Sequence, residues 1–125
     1  MVKKNVKIEI INDINLIEKT HWDLCACPEV LKGKKPLDPF TTYNFISALE
    51  NSGSVGRGTG WQSCHLIAKM DKKIIAVMPL YLKGHSQGEY IFDHNWAQAF
   101  HNFGGNYYPK LQSAVPFTPV TGRRF

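Results

Sequence analysis

Long apolar runs and densely spaced cysteines are both missing from this 125-residue chain. A membrane-spanning helix needs about 20 consecutive apolar residues, and no run approaches that. The opening Val6, Ile8, Ile10 and Ile11 are interrupted by Glu9 and lack the length and cleavage pattern of a signal peptide. The three cysteines, Cys25, Cys27 and Cys64, form an odd set without the spacing of a secreted disulfide scaffold. They are expected to be buried free thiols in a reducing, cytoplasmic setting. Cys25-Ala26-Cys27 has no second pair at chelating distance, so a structural zinc site is not expected. Acids are scarce as well: 10 Asp and Glu against 15 Lys and Arg give a formal charge of +5. That excess invites an anionic partner, but the lysines come in short groups, Lys3, Lys4 and Lys7, then Lys32, Lys34 and Lys35, then Lys72 and Lys73. Each group reads as a solvated face, and no nucleic-acid-binding motif accompanies them.

What is present is ordinary globular material. Hydrophobic residues make up 43% and charged residues 20%, enough apolar content for one folding unit over residues 1–125. No internal repeat or low-complexity segment occurs. Val6, Ile8 and Ile10 alternate with Lys7 and Glu9 as in an opening strand. Asp13 or Asn15 is placed to cap a helix through Leu16, Ile17, Trp22 and Leu24, ended by Pro28. Gly33, Pro36 and Pro39 make residues 32–39 a loop, and Thr41 or Thr42 caps a second helix carrying Phe45, Ile46 and Leu49.

Residues 51–60 hold Gly53, Gly56, Gly58 and Gly60. A phosphate-cradling loop follows a strand and opens a helix; here the glycines follow a helix and precede a strand, so a flexible connection is expected. Trp61 to Met70 and Ile74 to Leu82 read as two strands joined by a tight turn at Asp71-Lys72-Lys73. Leu66, Ala68 and Met70 are expected on one side, matched by Ile74, Ala76, Met78 and Leu80. Pro79 cannot donate to a ladder and predicts a splayed strand end. Glu89 to Phe92 reads as a short strand. Asn95 to Phe103 reads as a helix with Trp96, Ala99, Phe100 and Phe103 on one face, closed by Gly104-Gly105. The tail from Tyr107 runs through proline-bearing extended pieces to Arg123-Arg124-Phe125.

The last third is unusually dense in chemistry, with His85, His94 and His101, Glu89 and Asp93 between Lys83 and Lys110. Core strands and helices do not need that set, which points to a polar site or its wall. The same region carries a resemblance, through Asp38-Pro39-Phe40, Ser47-Ala48-Leu49-Glu50, Ser52-Gly53-Ser54-Val55-Gly56, Gly60-Trp61, Pro79-Leu80-Tyr81-Leu82-Lys83-Gly84-His85-Ser86, Gly88-Glu89-Tyr90, Phe92-Asp93-His94, Trp96, Tyr107-Tyr108-Pro109-Lys110-Leu111 and Val115-Pro116-Phe117-Thr118-Pro119-Val120-Thr121-Gly122. From about Leu37 to the end the chain resembles the N-terminal part of the FemAB-like N-acyltransferases, a branch of the GNAT superfamily linked to peptidoglycan biosynthesis or recognition.

The resemblance implies an α/β fold with a GNAT-like mixed sheet flanked by helices, here as an incomplete domain. It implies a complete protein that transfers an acyl or aminoacyl group to an amine, with a cell-wall precursor as acceptor and acyl-CoA or aminoacyl-tRNA as donor. The glycine-rich turn that holds acyl-CoA in such enzymes has no counterpart here, so this chain alone is expected to be inactive and to need a completing polypeptide or a second copy. The alternative is a noncatalytic module that recognises a cell-wall precursor or a partner protein.

Acyl transfer needs a base for the amine proton, donors for the oxyanion and a pocket that aligns the reactants. His85, Glu89, Asp93 and His94 are the base candidates. Lys110 is placed to meet a phosphate or carboxylate, and Tyr81, Tyr90, Trp96 and Tyr108, with Trp61 and Tyr107, to line a groove. His94, His101 and Asp93 do not make a convincing metal set.

Overall fold

The computed structural model describes residues 5–33 and 36–124. The expected lysine groups at Lys3, Lys4, Lys34 and Lys35, and the final Phe125, lie outside the described residues. The fold is mixed α/β, with strands β1 (Val6–Ile11), β2 (Trp61–Ser63), β3 (His65–Met70), β4 (Lys73–Met78), β5 (Tyr81–Lys83) and β6 (Lys110–Gln112). Its helices are α1 (Lys19–Ala26), α2 (Pro28–Leu31), α3 (Tyr43–Asn51) and α4 (His94–Asn102). The strands divide between two antiparallel sheets, ordered β1-β3-β4 and β2-β5-β6.

Each of the two long strands expected from the sequence is thus cut in two and passes from one sheet to the other. The breaks fall at Cys64 and at Pro79-Leu80. Pro79 has no N–H to give a ladder, and the Leu80 N–H turns to the ring of His65, donating to Nδ1 at 3.1 Å. One backbone bond, from Cys64 N to the Leu80 carbonyl at 2.9 Å, spans the junction. At the other end, Asp71 and Lys72 both adopt positive φ, 50° and 68°, between the paired Met70 and Lys73. That is the two-residue turn whose twist matches paired strands.

Local signals set the helix ends. Asp13 caps a single 3-10 turn at Ile14–Leu16 by accepting from Asn15 N, and the α-helix starts later than expected, at Lys19. Thr42 caps α3 by accepting from Phe45 N. After α4, Gly104 N donates to the His101 carbonyl and Gly105 N to that of Phe100, with Gly104 at φ 82°. This pair of bonds is the glycine-terminated stop anticipated from the sequence.

The main core joins Ile11, Ile14, Ile17, Trp22, Ala26, Ile46, Ile67 and Val77, and Trp22 Nε1 donates to the Thr41 carbonyl at 2.9 Å. A second cluster, Val55, Trp61 and Tyr81, packs with Leu49, Ala114 and Phe117. The fully buried His65 connects the two, edge-on to Trp22 at 5.6 Å and to Tyr81 at 5.2 Å.

Two expectations are corrected. Leu66, Ala68 and Met70 do share a face, through pairing with Ile10, Ile8 and Val6, but it is not the core face. Val6, Ile8 and Ile10 are exposed, whereas His65, Ile67 and Val77 are buried. A bulge between Ala68 and Lys69 also moves Ile74 to the core side, opposite Lys69 instead of in line with Ala76. Residues 89–92 form no strand; they run as bends into α4. The helix face carrying Trp96, Phe100 and Phe103 exists as expected but is exposed, and α4 buries none of its residues.

Candidate functional site

The chain segments after β5, before α4 and around β6 converge on one cavity of about 530 Å³. Its walls include Trp61, Glu89, Tyr90, Asp93, Tyr107, Lys110 and Arg124. Antiparallel pairing of β6 with β5 places Lys110 opposite Lys83, which brings the tail beside the stretch that follows β5.

Asp93 is the hub. Its carboxylate accepts from Tyr107 Oη at 3.0 Å, from Tyr108 Oη at 2.7 Å and from Lys110 Nζ. The Tyr108 hydroxyl also meets Ser86 Oγ at 2.5 Å. Burial alone would push the Asp93 carboxyl up, but hydrogen bonds from Lys110, Tyr108, Ser86 and Tyr107 outweigh it and hold the group well below the usual carboxylate range. Burial pulls the Lys110 ammonium down, yet its bonds to Asp93 and Tyr107 leave it raised. The ammonium also lies over the Tyr107 ring, 4.6 Å from its centre. Asp93 is therefore ionised and saturated with donors. It positions Tyr107, Tyr108 and Lys110 and has no spare basicity to take a proton.

Glu89 is held differently. Its Oε1 accepts from Lys83 Nζ at 2.9 Å, and Lys83 is completely buried, with its ammonium 3.9 Å from the centre of the Trp61 ring. Both acids of the cavity are thus neutralised by lysines. Arg124, on the same wall, spends its guanidinium on the carbonyls of Arg123 and Val120 and forms no ion pair among the described residues. The balance leaves a donor-rich surface suited to carbonyl, carboxylate or phosphate oxygens.

The sequence-derived candidates divide accordingly. Glu89, Asp93, Tyr90 and Lys110 line the cavity, and Tyr108 reaches it through Asp93. His85 does not join them: it accepts from Gln87 N at 3.2 Å and lies against Gly60, in a separate cleft. His94 begins α4 and stacks on Phe92 in solvent, with ring centres 5.1 Å apart. Trp96 is exposed on α4, away from the cavity. Tyr81 is a core residue, not a groove wall; its ring is fully buried and burial, then the Glu50 charge, pushes its phenol far up. Lys83, Ser86 and Arg124 were not singled out by the sequence. Lys83 shares its strand face with the buried Tyr81, but alternation with Leu82 would have turned the lysine outward, and its carboxylate partner is set by the loop beyond the strand.

Among the described residues no helix is long and apolar enough to cross a membrane. The fold and cavity define an α/β protein with a donor-rich, aromatic-walled cleft. Residues 13–125 match the FemAB-like family, described as peptidoglycan biosynthesis/recognition, and the chain belongs to that family. No curated protein and no solved structure matches the chain.

Proposed function

We propose that this chain holds the acceptor side of an N-acyl or aminoacyl transfer to a cell-wall precursor, with acyl-CoA or aminoacyl-tRNA as the donor. The observation that supports this reading most is the Asp93 hub, which, with Tyr107 Oη, fixes the Lys110 ammonium and leaves it one further N–H on the wall of a cavity large enough for a small peptide. Preorganised donors of this kind stabilise the oxyanion that forms when an amine attacks an acyl carbonyl. Glu89 takes the base role, because among the described residues its second carboxylate oxygen accepts no hydrogen bond, whereas Asp93 is saturated. Membership in a family described by peptidoglycan biosynthesis/recognition supports the choice of a cell-wall precursor as the acceptor.

Neutralisation of both acids by lysine favours the second reading, recognition of the precursor without turnover. Calorimetric titration with a soluble nucleotide-linked muropeptide, together with transfer assays using acyl-CoA and aminoacyl-tRNA, separates the two. Tyr107→Phe and Lys110→Met are expected to weaken binding about tenfold each. Lys83→Met is expected to keep turnover and the Lys83→Met/Glu89→Gln pair to lose it. Binding with no turnover by any preparation would select the recognition module. Undiminished binding in both Tyr107→Phe and Lys110→Met would remove the cavity from either role.

A further inference from the structure

The outer face of the first sheet is left bare along β1. Alternation sends Val6, Ile8 and Ile10 to that side, where they are 53%, 60% and 70% exposed. Antiparallel pairing sets them against Met70, Ala68 and Leu66, which are half-buried. The difference is one of position: β3 has a strand on each flank, whereas β1 is an edge strand with β3 alone beside it. Half of the β1 backbone N–H and C=O groups therefore point along an open edge. Edges in soluble proteins are guarded by proline, bulges or charges. β1 has no proline or glycine, pairs with β3 in unbroken register from Val6 to Ile11, and carries two charges of opposite sign.

Those charges make the strand complementary to itself. Val6-Lys7-Ile8-Glu9-Ile10 is nearly symmetric about Ile8. A two-fold axis perpendicular to the sheet sets the strand antiparallel to its own copy, and like faces meet only when the axis passes through a residue. Centred on Lys7, the lysine meets itself; centred on Glu9, the carboxylate does. Centred on Ile8, each Lys7 lies opposite Glu9 of the other copy, Val6 opposite Ile10 and Ile8 opposite Ile8. Directly opposed residues have Cβ atoms about 5 Å apart, close enough for the charges to pair. Lys7 is available for this: its side chain is 77% exposed and reaches its own Glu9 only at 3.4 Å, through Oε1, while Lys69 holds Oε2 at 2.7 Å.

We propose that β1 pairs antiparallel with β1 of a second copy of this chain, centred on Ile8, to form one continuous six-stranded sheet. The contact supplies partners for the open backbone edge and two cross-strand ion pairs. It also places a neighbour on the bare flank of Val6, Ile8 and Ile10, which gives them the surroundings that Leu66, Ala68 and Met70 already have. The Asp93 cavity is built on the second sheet, so the pairing stands whether or not acyl transfer occurs there.

The test is equilibrium sedimentation of the whole chain at low salt, from micromolar to near-millimolar concentration. A mass rising from 14.2 kDa to twice that value is expected. Lys7→Glu sets two carboxylates opposite each other and Glu9→Lys two ammonium groups. Each is expected to weaken self-association about tenfold, since two attractive pairs become repulsive. An equimolar mixture of the two variants restores both pairs and is expected to form mixed dimers, an outcome specific to the antiparallel register centred on Ile8. Ile8→Cys, on the exposed face, is expected to give an intermolecular disulfide through position 8, because opposed Cα atoms lie within disulfide reach. If Glu9→Lys does not fold without its bond to Lys69, Lys7→Glu and the position-8 cross-link decide the matter. A single-chain mass at every concentration, self-association undiminished by Lys7→Glu, or failure of Ile8→Cys to cross-link to itself would each overturn the assignment.

Discussion

Lys83→Met and Glu89→Gln, made singly and together, measure how strongly the buried ion pair is coupled. Lys83 is 0% exposed, its partner 10%, and the charges are 2.9 Å apart. At an effective dielectric constant of about 20, two charges at that separation attract by about 6 kcal/mol. Desolvation offsets most of this, so the intact pair adds little net stability; removing one partner is another matter, because a buried charge is left alone at a cost of about 3–5 kcal/mol. Glu89→Gln should sit at the upper end, since the stranded ammonium is fully buried and keeps only the Trp61 ring. Lys83→Met should cost less, because Glu89 borders the cavity and can recover water. The double variant should return to within about 1–2 kcal/mol of the parent. In urea, with a slope of about 2 kcal/mol per molar for a chain of this size, Glu89→Gln should lower the midpoint by about 2 M. Strictly additive losses in the double variant, or a Glu89→Gln loss below about 1 kcal/mol, would refute the argument.

Two further outcomes follow from the geometry. Gly60→Ala should destabilise more than Gly58→Ala: both sites have positive φ, 81° and 83°, which costs a side chain about 1–2 kcal/mol, but only at Gly60 would the new methyl meet the His85 ring, at 2.6 Å. Thermal melts of the two variants give the comparison, and equal losses would mean that the His85 ring simply moves aside. The lowered Asp93 pKa contributes stability that is fully present above the unfolded carboxyl value of about 4 and is lost as pH falls from there toward the folded value. Asp93→Asn should therefore flatten the acid limb of a stability-against-pH curve, and an unchanged limb would show that the hub does not hold the carboxylate.

Much of the local structure was legible because it depends on short-range chemistry. Alternation marked β1, Thr42 marked the start of α3, and Gly104-Gly105 ended α4, since capping and turn geometry act within a few residues. Asp93 and Lys110 were picked out from the sequence, and the structure brings them into contact. Their common cavity also fitted the density of polar groups between Lys83 and Lys110.

Which side of the first sheet became core was not legible. Val6, Ile8 and Ile10 are as apolar as Ile67 and Val77, and alternation gives two faces without saying which one the helices cover. The histidines show the same limit: His65 drew no notice and lies at the centre of the molecule, whereas His94 drew attention and stacks in solvent. The sequence by itself determined the α/β class, the opening order of strand, two helices and hairpin, and the stock of acids, lysines and tyrosines in the last third. Only the tertiary structure decided which of them meet, because the breaks at Cys64 and Pro79 send the strands into a second sheet and the pairing of β5 with β6 carries Lys110 to Asp93 across 17 residues of chain.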